Sequence, residues 1–193
     1  MKLKFCLIIL TILFFQLLIS AQNPEPKTVT DFFYLLPEKH FAPFEDGNGK
    51  KQNLKDFRKS IIKIADNKNG FLRLESFQWE GWAEVAIFKK TNGKYIVGVI
   101  ENGCGPVCGS DVFFYSYENK KWSDVTTQVL PKITETQFAE AYKRHKTTEE
   151  DETGIIYELP RVGKTIKVRT DGGKNIVFFE LTWNGSKFIL KNK

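Results

Sequence analysis

Apolar and polar residues alternate along most of the chain beyond residue 60, which is typical of half-buried β-strands. Asn-Gly pairs at 92–93 and 184–185 stand between adjacent apolar runs, where this dipeptide indicates a β-hairpin. The pattern predicts an α+β fold with a mainly antiparallel β-sheet, either a meander of hairpins or two packed sheets. The predicted strands are 61–65, 71–77, 82–89, 94–100, 111–117, 121–125, 155–159, 165–170, 175–183 and 187–190.

Three shorter segments carry apolar residues at the spacings of three and four that a helix requires. Each begins at a side chain able to accept a hydrogen bond from the free N–H groups of a first helical turn. Two or three short helices at one face or end of the sheet are therefore predicted. Their starts are Thr30 or Asp31, Asn53, and the capping box Thr134–Gln137.

The first 21 residues have the three parts of a secretory signal peptide. Lys2 and Lys4 precede an apolar run of about 15 residues, which is shorter than the roughly 20 needed to span a bilayer. Cleavage is expected near Ala21, with an uncleaved membrane anchor as the alternative. The prediction is a periplasmic or secreted chain of residues 22–193 that forms one β-rich domain and does not span a membrane.

Two hairpins resemble each other at an offset of 66 residues. Tyr117 and Trp122 correspond to Trp183 and Phe188, and each pair is predicted to fix the register across its two strands. A third hairpin, 87–95, shares the pattern of aromatic, polar turn and aromatic. Duplication is one explanation, with halves at residues 28–130 and 131–193. The other explanation is that the hairpins of a β-meander use the same aromatic pairing without any duplication.

The positive charge is mild and uneven. The net charge of +6 becomes +4 once Lys2 and Lys4 leave with the signal peptide, and basic residues concentrate in 50–63 and 161–193. Such patches attract anionic partners, or they protect sheet edges and keep the chain soluble. A nucleic-acid partner is not expected, because the chain has five arginines and no recognised binding motif.

Cys104 and Cys108 are the two cysteines beyond the signal peptide, within a Gly-rich segment, 102–110, that is predicted to be a loop. An even number of cysteines in an exported chain favours a disulfide. Gly105 and Pro106 allow a turn tight enough for the Cα separation of about 4.4–6.8 Å that a disulfide needs. The pair is therefore predicted to be bonded and to shape a local loop.

A thiol-redox site and a metal site are the two alternatives to a disulfide for these cysteines. A thiol-redox site is disfavoured because Cys104 and Cys108 are spaced one residue wider than Cys-x-x-Cys and precede no helix. A metal site could add His40 and His145, but the spacing is not that of a zinc finger, and both histidines are expected at the surface. The acidic run at 147–154 lacks the spacing of a calcium loop. No metal and no cofactor are predicted.

Hydrolytic motifs such as Gly-x-Ser-x-Gly and His-Glu-x-x-His do not occur in the sequence. A carbohydrate hydrolase could use two carboxylates whose separation only the fold decides. The first candidates, near two tryptophans, are Glu75, Glu80, Glu84 and Glu101, for which solvent-facing strand positions are the simpler interpretation.

The sequence favours a non-catalytic exported protein that binds an unidentified protein or glycan. Most aromatic residues are expected in the core, but Trp79 and Trp82 flank a turn and should be partly exposed. The candidate binding surface combines these two with Gly103, Gly105 and Pro106. A carbohydrate hydrolase, and a thiol-redox or metal-binding protein using Cys104 and Cys108, are the alternatives. A cleft holding the tryptophans beside two carboxylates would favour the hydrolase, and a flat surface would favour binding.

Overall fold

The computed structural model describes residues 25–45, 49–148, 154–171 and 175–192. The predicted signal peptide and most of the acidic run at 147–154 lie outside these ranges. None of the helices in the described ranges combines the length and the apolar character that a bilayer crossing requires.

Ten strands in the described ranges form one mixed, mostly antiparallel sheet, which confirms the predicted fold class. Strands 1 to 5 follow each other as a meander, and strands 7 to 10 do the same. The strands are β1 (Ile62–Asp66), β2 (Phe71–Leu74), β3 (Gly81–Lys89), β4 (Tyr95–Cys104), β5 (Cys108–Glu118), β6 (Lys121–Asp124), β7 (Ile155–Glu158), β8 (Thr165–Thr170), β9 (Val177–Trp183) and β10 (Phe188–Asn192).

Strand β5 connects the two meanders, because β6 and β7 both pair with one edge of β5. Near its start, Gly109 pairs with Ile155 of β7 in parallel, and near its end Glu118 pairs with Lys121 of β6 in antiparallel fashion. The opposite edge of β5 pairs with β4 along most of its length. The last four strands therefore join the sheet beside the start of β5.

Within the described part of the chain, four short helices accompany the sheet: α1 (Val29–Leu35), α2 (Leu54–Ser60), α3 (Thr126–Val129) and α4 (Glu135–His145). Asn53 caps α2 and the capping box at Thr134 opens α4, as predicted. Helix α1 begins earlier than predicted, because Thr28 is the N-cap and Asp31 completes its capping box. Helix α3 was not predicted.

The two faces of the first meander belong to different cores because successive side chains of a strand point to opposite faces. On one face, Val85 and Val97 are fully buried under α1 and α2, in what we call the helix-side core. On the other, Phe88 and Ile96 pack against the second meander, with Trp183 and other residues of β8 to β10. The first meander is thus the middle layer of the protein.

Two of the three similar hairpins have the predicted aromatic pair across their strands. Tyr117 lies directly opposite Trp122, and Trp183 directly opposite Phe188, as predicted. The two pairs pack in different cores. The third hairpin departs from the pattern, because Phe88 faces Ile96 and so has no aromatic partner opposite it.

Candidate functional site

The end of the β4–β5 hairpin is a strand pair closed by a disulfide. Pairing continues to Cys104 and Cys108, whose Cα atoms are 4.1 Å apart and whose sulfurs are at bonding distance. The two cysteines predicted to be bonded are thus at disulfide distance. The predicted loop over 102–110 is wrong, because strand pairing requires only backbone N–H and C=O groups and continues through this Gly-rich sequence. The turn itself is limited to residues 105–107.

Gly81 brings the loop after β2 against the end of β4. It has a φ of +115°, and a Cβ atom there would collide with the carbonyl oxygen of Asn102. Because glycine has no Cβ, the chain can approach this closely. The N–H of Cys104 donates to the carbonyl oxygen of Glu80 at 3.2 Å. Trp79 and Glu80 thus form a wall above the helix-side face of the sheet.

The facing wall is the segment after α1, and Arg58 of α2 holds it in place. Arg58 is 1% exposed, and its desolvation lowers the pKa of the guanidinium, which nevertheless stays charged. Its positive charge lies at the C-terminal end of α1, where the helix dipole is favourable. It donates hydrogen bonds of 2.8–3.2 Å to the carbonyl oxygens of Phe33, Tyr34, Leu36, Pro37 and His40.

Phe41 bends this segment back toward the sheet. Its φ of +58° is uncommon for an aromatic residue, and its side chain is buried between Phe33 and Trp79, with ring centroids 5.7 and 6.3 Å away. Such backbone strain persists only where the surroundings impose it, and it often marks functional sites. The bend directs the next residues, up to Phe44, toward the Trp79 wall.

Between the two walls lies a concave pocket of about 380 Å³, which we call the aromatic–acidic pocket. Its floor is the helix-side face of the sheet at Ala83, Glu101 and Gly103. It is open to solvent at the rim, where Phe44 is 63% exposed. The other lining residues are Lys39, Phe41, Ala42, Trp79, Glu80, Trp82, Asn102 and Asp111.

His40 lies beneath the pocket and connects two side chains of the sheet. It is 2% exposed, so the predicted surface position is wrong. Its Nδ1 lies 2.7 Å from Oε1 of Glu101 and its Nε2 lies 2.8 Å from the hydroxyl of Tyr115. The ring also packs edge-on against Phe113 at 5.0 Å. His40 therefore fixes one oxygen of a carboxylate whose side chain is 36% exposed.

The carboxylates of the pocket are concentrated on adjacent strands. Glu101 of β4 is directly opposite Asp111 of β5, and Glu80 lies on the adjoining wall. Like charges directly opposite on a sheet are unfavourable. Neither Glu80 nor Asp111 forms an ion pair or a side-chain hydrogen bond with any residue in the described ranges.

The structure unites part of the predicted binding surface. Trp79 and Gly103 line the pocket, and Trp82 borders it, although its ring packs 4.7 Å from the guanidinium carbon of Arg73. Both tryptophans are partly exposed, as predicted. Gly105 and Pro106 lie in the exposed turn beyond the pocket and do not line it.

Glu84 and Glu75 lie away from the pocket, beside a second, more open depression of about 530 Å³. Glu84 is 4% exposed, so the expectation that it faces solvent is wrong. It accepts a hydrogen bond from the N–H of Leu159 at 2.7 Å and another from Arg73 at 3.1 Å. Burial outweighs these contacts and raises the pKa of Glu84. This carboxyl links the first meander to the second.

The cysteines and histidines do not form a common site. His145 of α4 stacks on Phe178 at 5.5 Å, whereas His40 belongs to the other face of the first meander. Within the described ranges, one group of three metal-ligating atoms lies within 4.8 Å of each other, from Cys104, Cys108 and Asp171. Both sulfurs of that group are held in the disulfide.

Among the pocket residues that sequence reasoning missed, four contribute a charge or an aromatic ring: Lys39, Phe41, Phe44 and Asp111. A hairpin register centred on residues 105–107 would have placed Asp111 opposite Glu101. No local pattern indicates the other three, because they follow α1 and reach the pocket only through tertiary packing.

No protein-family model and no curated protein sequence matches the chain. The structure is similar to that of a domain of an uncharacterized protein from Porphyromonas gingivalis W83, with a TM-score of 0.55. The two are 11% identical in sequence, over 83% of this chain and 96% of that chain. At this identity the similarity concerns the fold alone, which the two proteins share.

Proposed function

We propose that the chain is an exported, non-catalytic binding protein that holds its ligand in the aromatic–acidic pocket. The observation that carries this proposal is the convergence of aromatic and charged side chains on one preformed concavity. Ligand sites in proteins are typically such concavities, with apolar walls and a few polar groups that orient the ligand. Here Trp79 and Phe44 supply apolar surface, and Glu80, Glu101 and Asp111 supply the polar groups.

Several fixed elements support a pocket that exists before the ligand arrives. The Cys104–Cys108 disulfide closes the hairpin at one side, and Arg58 immobilises the opposite wall through backbone carbonyl groups. Preorganisation favours affinity because less conformational entropy is lost on binding.

The hydrogen bonds of His40 support a binding role for the site more than a catalytic role for this histidine. His40 lies between Glu101 and Tyr115, an arrangement that could activate a hydroxyl nucleophile. Tyr115, however, is 3% exposed, and a nucleophile must reach its substrate. We therefore assign this chain of hydrogen bonds to positioning Glu101.

The binding proposal is tested by titrating the mature protein with panels of glycans and peptides, followed by calorimetry. Phe44→Ser and Asp111→Asn should each weaken a pocket ligand by about tenfold, which corresponds to 1.4 kcal/mol. Val162→Ser is the matched control, because Val162 is 75% exposed and lies outside the pocket. A ligand whose affinity is the same in all three variants would contradict the proposed site.

Export is tested separately by the intact mass of the protein from its native host, with and without thiol alkylation. A mass lacking about 21 N-terminal residues, with no alkylation before reduction, supports cleavage near Ala21 and the Cys104–Cys108 bond. The full-length mass would contradict cleavage. Two freely alkylated thiols would contradict a disulfide in the native protein.

A carbohydrate hydrolase is the second candidate. The expectation for a hydrolase, a cleft that holds both tryptophans beside carboxylates, is met by the aromatic–acidic pocket. Glu101 and Asp111 are directly opposite on antiparallel strands, so their side chains project from neighbouring positions on one face of the sheet. Glycosidases act through two carboxyl groups that flank the bond to be cleaved. Release of reducing ends from a glycan that binds, abolished by Asp111→Asn, would support this candidate. Binding without turnover supports the non-catalytic protein.

A further inference from the structure

The aromatic–acidic pocket is negatively charged in a protein that is positively charged overall. Three carboxylates line it, from Glu80, Glu101 and Asp111, against the single ammonium group of Lys39. The whole chain, in contrast, carries a net charge of +6. A concave surface of one sign concentrates the electric field and attracts ligands of the opposite sign.

The carboxylates are held close together although they repel each other. Glu101 and Asp111 are paired in register on neighbouring strands, and His40 holds one oxygen of Glu101. No basic side chain in the described ranges forms an ion pair with Glu80 or Asp111. A ligand that carried positive charge into the pocket would relieve the repulsion between Glu101 and Asp111.

Lys39 is directed to other partners. Its Nζ lies 5.5 Å from the ring centroid of Phe113 and 5.3 Å from that of Tyr115. Its neighbour Tyr115 raises the pKa of Lys39. Like an ordinary lysine, Lys39 is therefore charged at neutral pH. Its position shows that cations are accommodated on aromatic faces at the edge of the pocket.

Aromatic rings on the walls add a second attraction for cations. Phe41 of the segment after α1 packs against Trp79 of the facing wall, and Phe44 is exposed at the rim. An ammonium or guanidinium group within about 6 Å of a ring centroid is attracted by the π-electron face. Aromatic rings and carboxylates together suit an organic cation better than a hydrated metal ion.

We propose that the pocket binds a ligand through an ammonium or guanidinium group, which lies between Asp111, Glu101 and Glu80 and against the ring of Phe44. This proposal rests on the binding function proposed above and names the chemical class of the ligand. Arginine or lysine side chains of a partner peptide, or a free polyamine, present this chemistry.

The test compares arginine amide with citrulline amide, its uncharged isostere, by calorimetry and by NMR shifts of the pocket residues. We expect arginine amide to bind at least about tenfold more tightly, and added salt to weaken it. Spermidine should compete with it. Equal binding of the two amides would overturn the proposal, as would displacement of arginine amide by Ca²⁺ at the same site.

Variants separate the charged from the aromatic contribution. Glu80→Gln with Asp111→Asn should reduce arginine amide affinity by about tenfold or more, and Phe44→Leu by roughly two- to fivefold. The matched control, Glu135→Gln with Glu140→Gln, removes two exposed carboxylates of α4 and should leave affinity unchanged. If the control weakens binding as much as the pocket variant does, the ligand is held by general electrostatics and the proposal fails.

Neutral saccharides in the same titration distinguish this inference from the binding function itself. A saccharide that binds in the pocket while the cations do not would overturn the cation proposal and leave the binding function standing. If cations, saccharides and peptides all fail to shift the pocket resonances at millimolar concentrations, both proposals are wrong.

Discussion

Arg58 donates a hydrogen bond of 2.8 Å to the carbonyl oxygen of His40. Through this contact a side chain of α2 fixes the backbone of a residue whose ring reaches Glu101 in the sheet. Arg58 does not line the aromatic–acidic pocket, yet it helps to determine where the carboxylate of Glu101 lies. Arg58, a buried arginine with five carbonyl acceptors, thus holds the pocket wall in place.

Arg58→Ala should lower the free energy of unfolding by roughly 3–5 kcal/mol, because buried carbonyl oxygens lose a charged donor and a cavity remains in place of the side chain. The variant leaves the carbonyl oxygens of α1 and of the following segment without their donor. Arg58→Lys should be intermediate, since an ammonium cannot reach five acceptors in a planar arrangement. Urea denaturation measures both.

Arg161→Ala is the control for loss of a positive charge. Arg161 is 57% exposed and pairs with Asp66 at 3.0 Å, so its loss should cost less than about 1 kcal/mol. Equal losses for Arg58→Ala and Arg161→Ala would show that the buried contacts contribute little.

Glu84 should make stability depend on pH. Burial raises its pKa above the ordinary value of 4.5, so the folded chain binds this proton more tightly than the unfolded chain. The resulting stabilisation is complete below about pH 4.5 and is lost as the pH rises through the folded-state pKa. Glu84→Gln keeps an acceptor for the Leu159 N–H and cannot ionise.

We therefore expect the stability of Glu84→Gln relative to the wild type to increase from about pH 4 to about pH 8. The gain should be about 1.4 kcal/mol for each unit by which the folded-state pKa exceeds 4.5. Urea denaturation at several pH values measures it. Glu45→Gln, at an exposed position, controls for the change in charge. If the stability difference between Glu84→Gln and the wild type does not vary with pH, burial does not raise the pKa of Glu84.

Gly81→Ala should be more damaging than Gly93→Ala. Both glycines have positive φ, but only at Gly81 would the added Cβ collide, with the carbonyl oxygen of Asn102. Strain alone should cost about 1 kcal/mol at Gly93, whereas Gly81→Ala should cost roughly 2 kcal/mol or more. Thermal unfolding measures both, and equal losses would show that the close approach to β4 is not required. Because Gly81 follows the Trp79 wall, its substitution should also weaken a pocket ligand.

The structural elements that the sequence predicts correctly are those that depend on residues close together in the chain. The hairpin at 92–93 and the capped starts of α2 and α4 are examples, since each depends on side chains within four residues. The predicted start of α1 is too late, because Thr28, Thr30 and Asp31 are all residues that can cap a helix. Only the folded chain shows that Thr28 and Asp31 act together.

The pocket was predicted only in part because its decisive contacts join distant segments. Trp79 and Gly103 could be selected from their turn and loop positions. His40, in contrast, contacts residues 61 and 75 positions away. Burial of Glu84 depends on Leu159, which is also 75 positions away. Alternation within a strand indicates that a side chain points to one face, but not which later segment covers that face.

The parallel junction between β5 and β7 has a consequence for the order in which the protein folds. All other pairings of named strands join neighbours in sequence, whereas Gly109 and Ile155 enclose a loop of more than 40 residues. Contacts of short sequence separation form fastest, so the two meanders should acquire their registers before this junction closes. The residues that line the aromatic–acidic pocket all lie between positions 39 and 111. A growing or emerging chain can therefore assemble this pocket before the last four strands join the sheet.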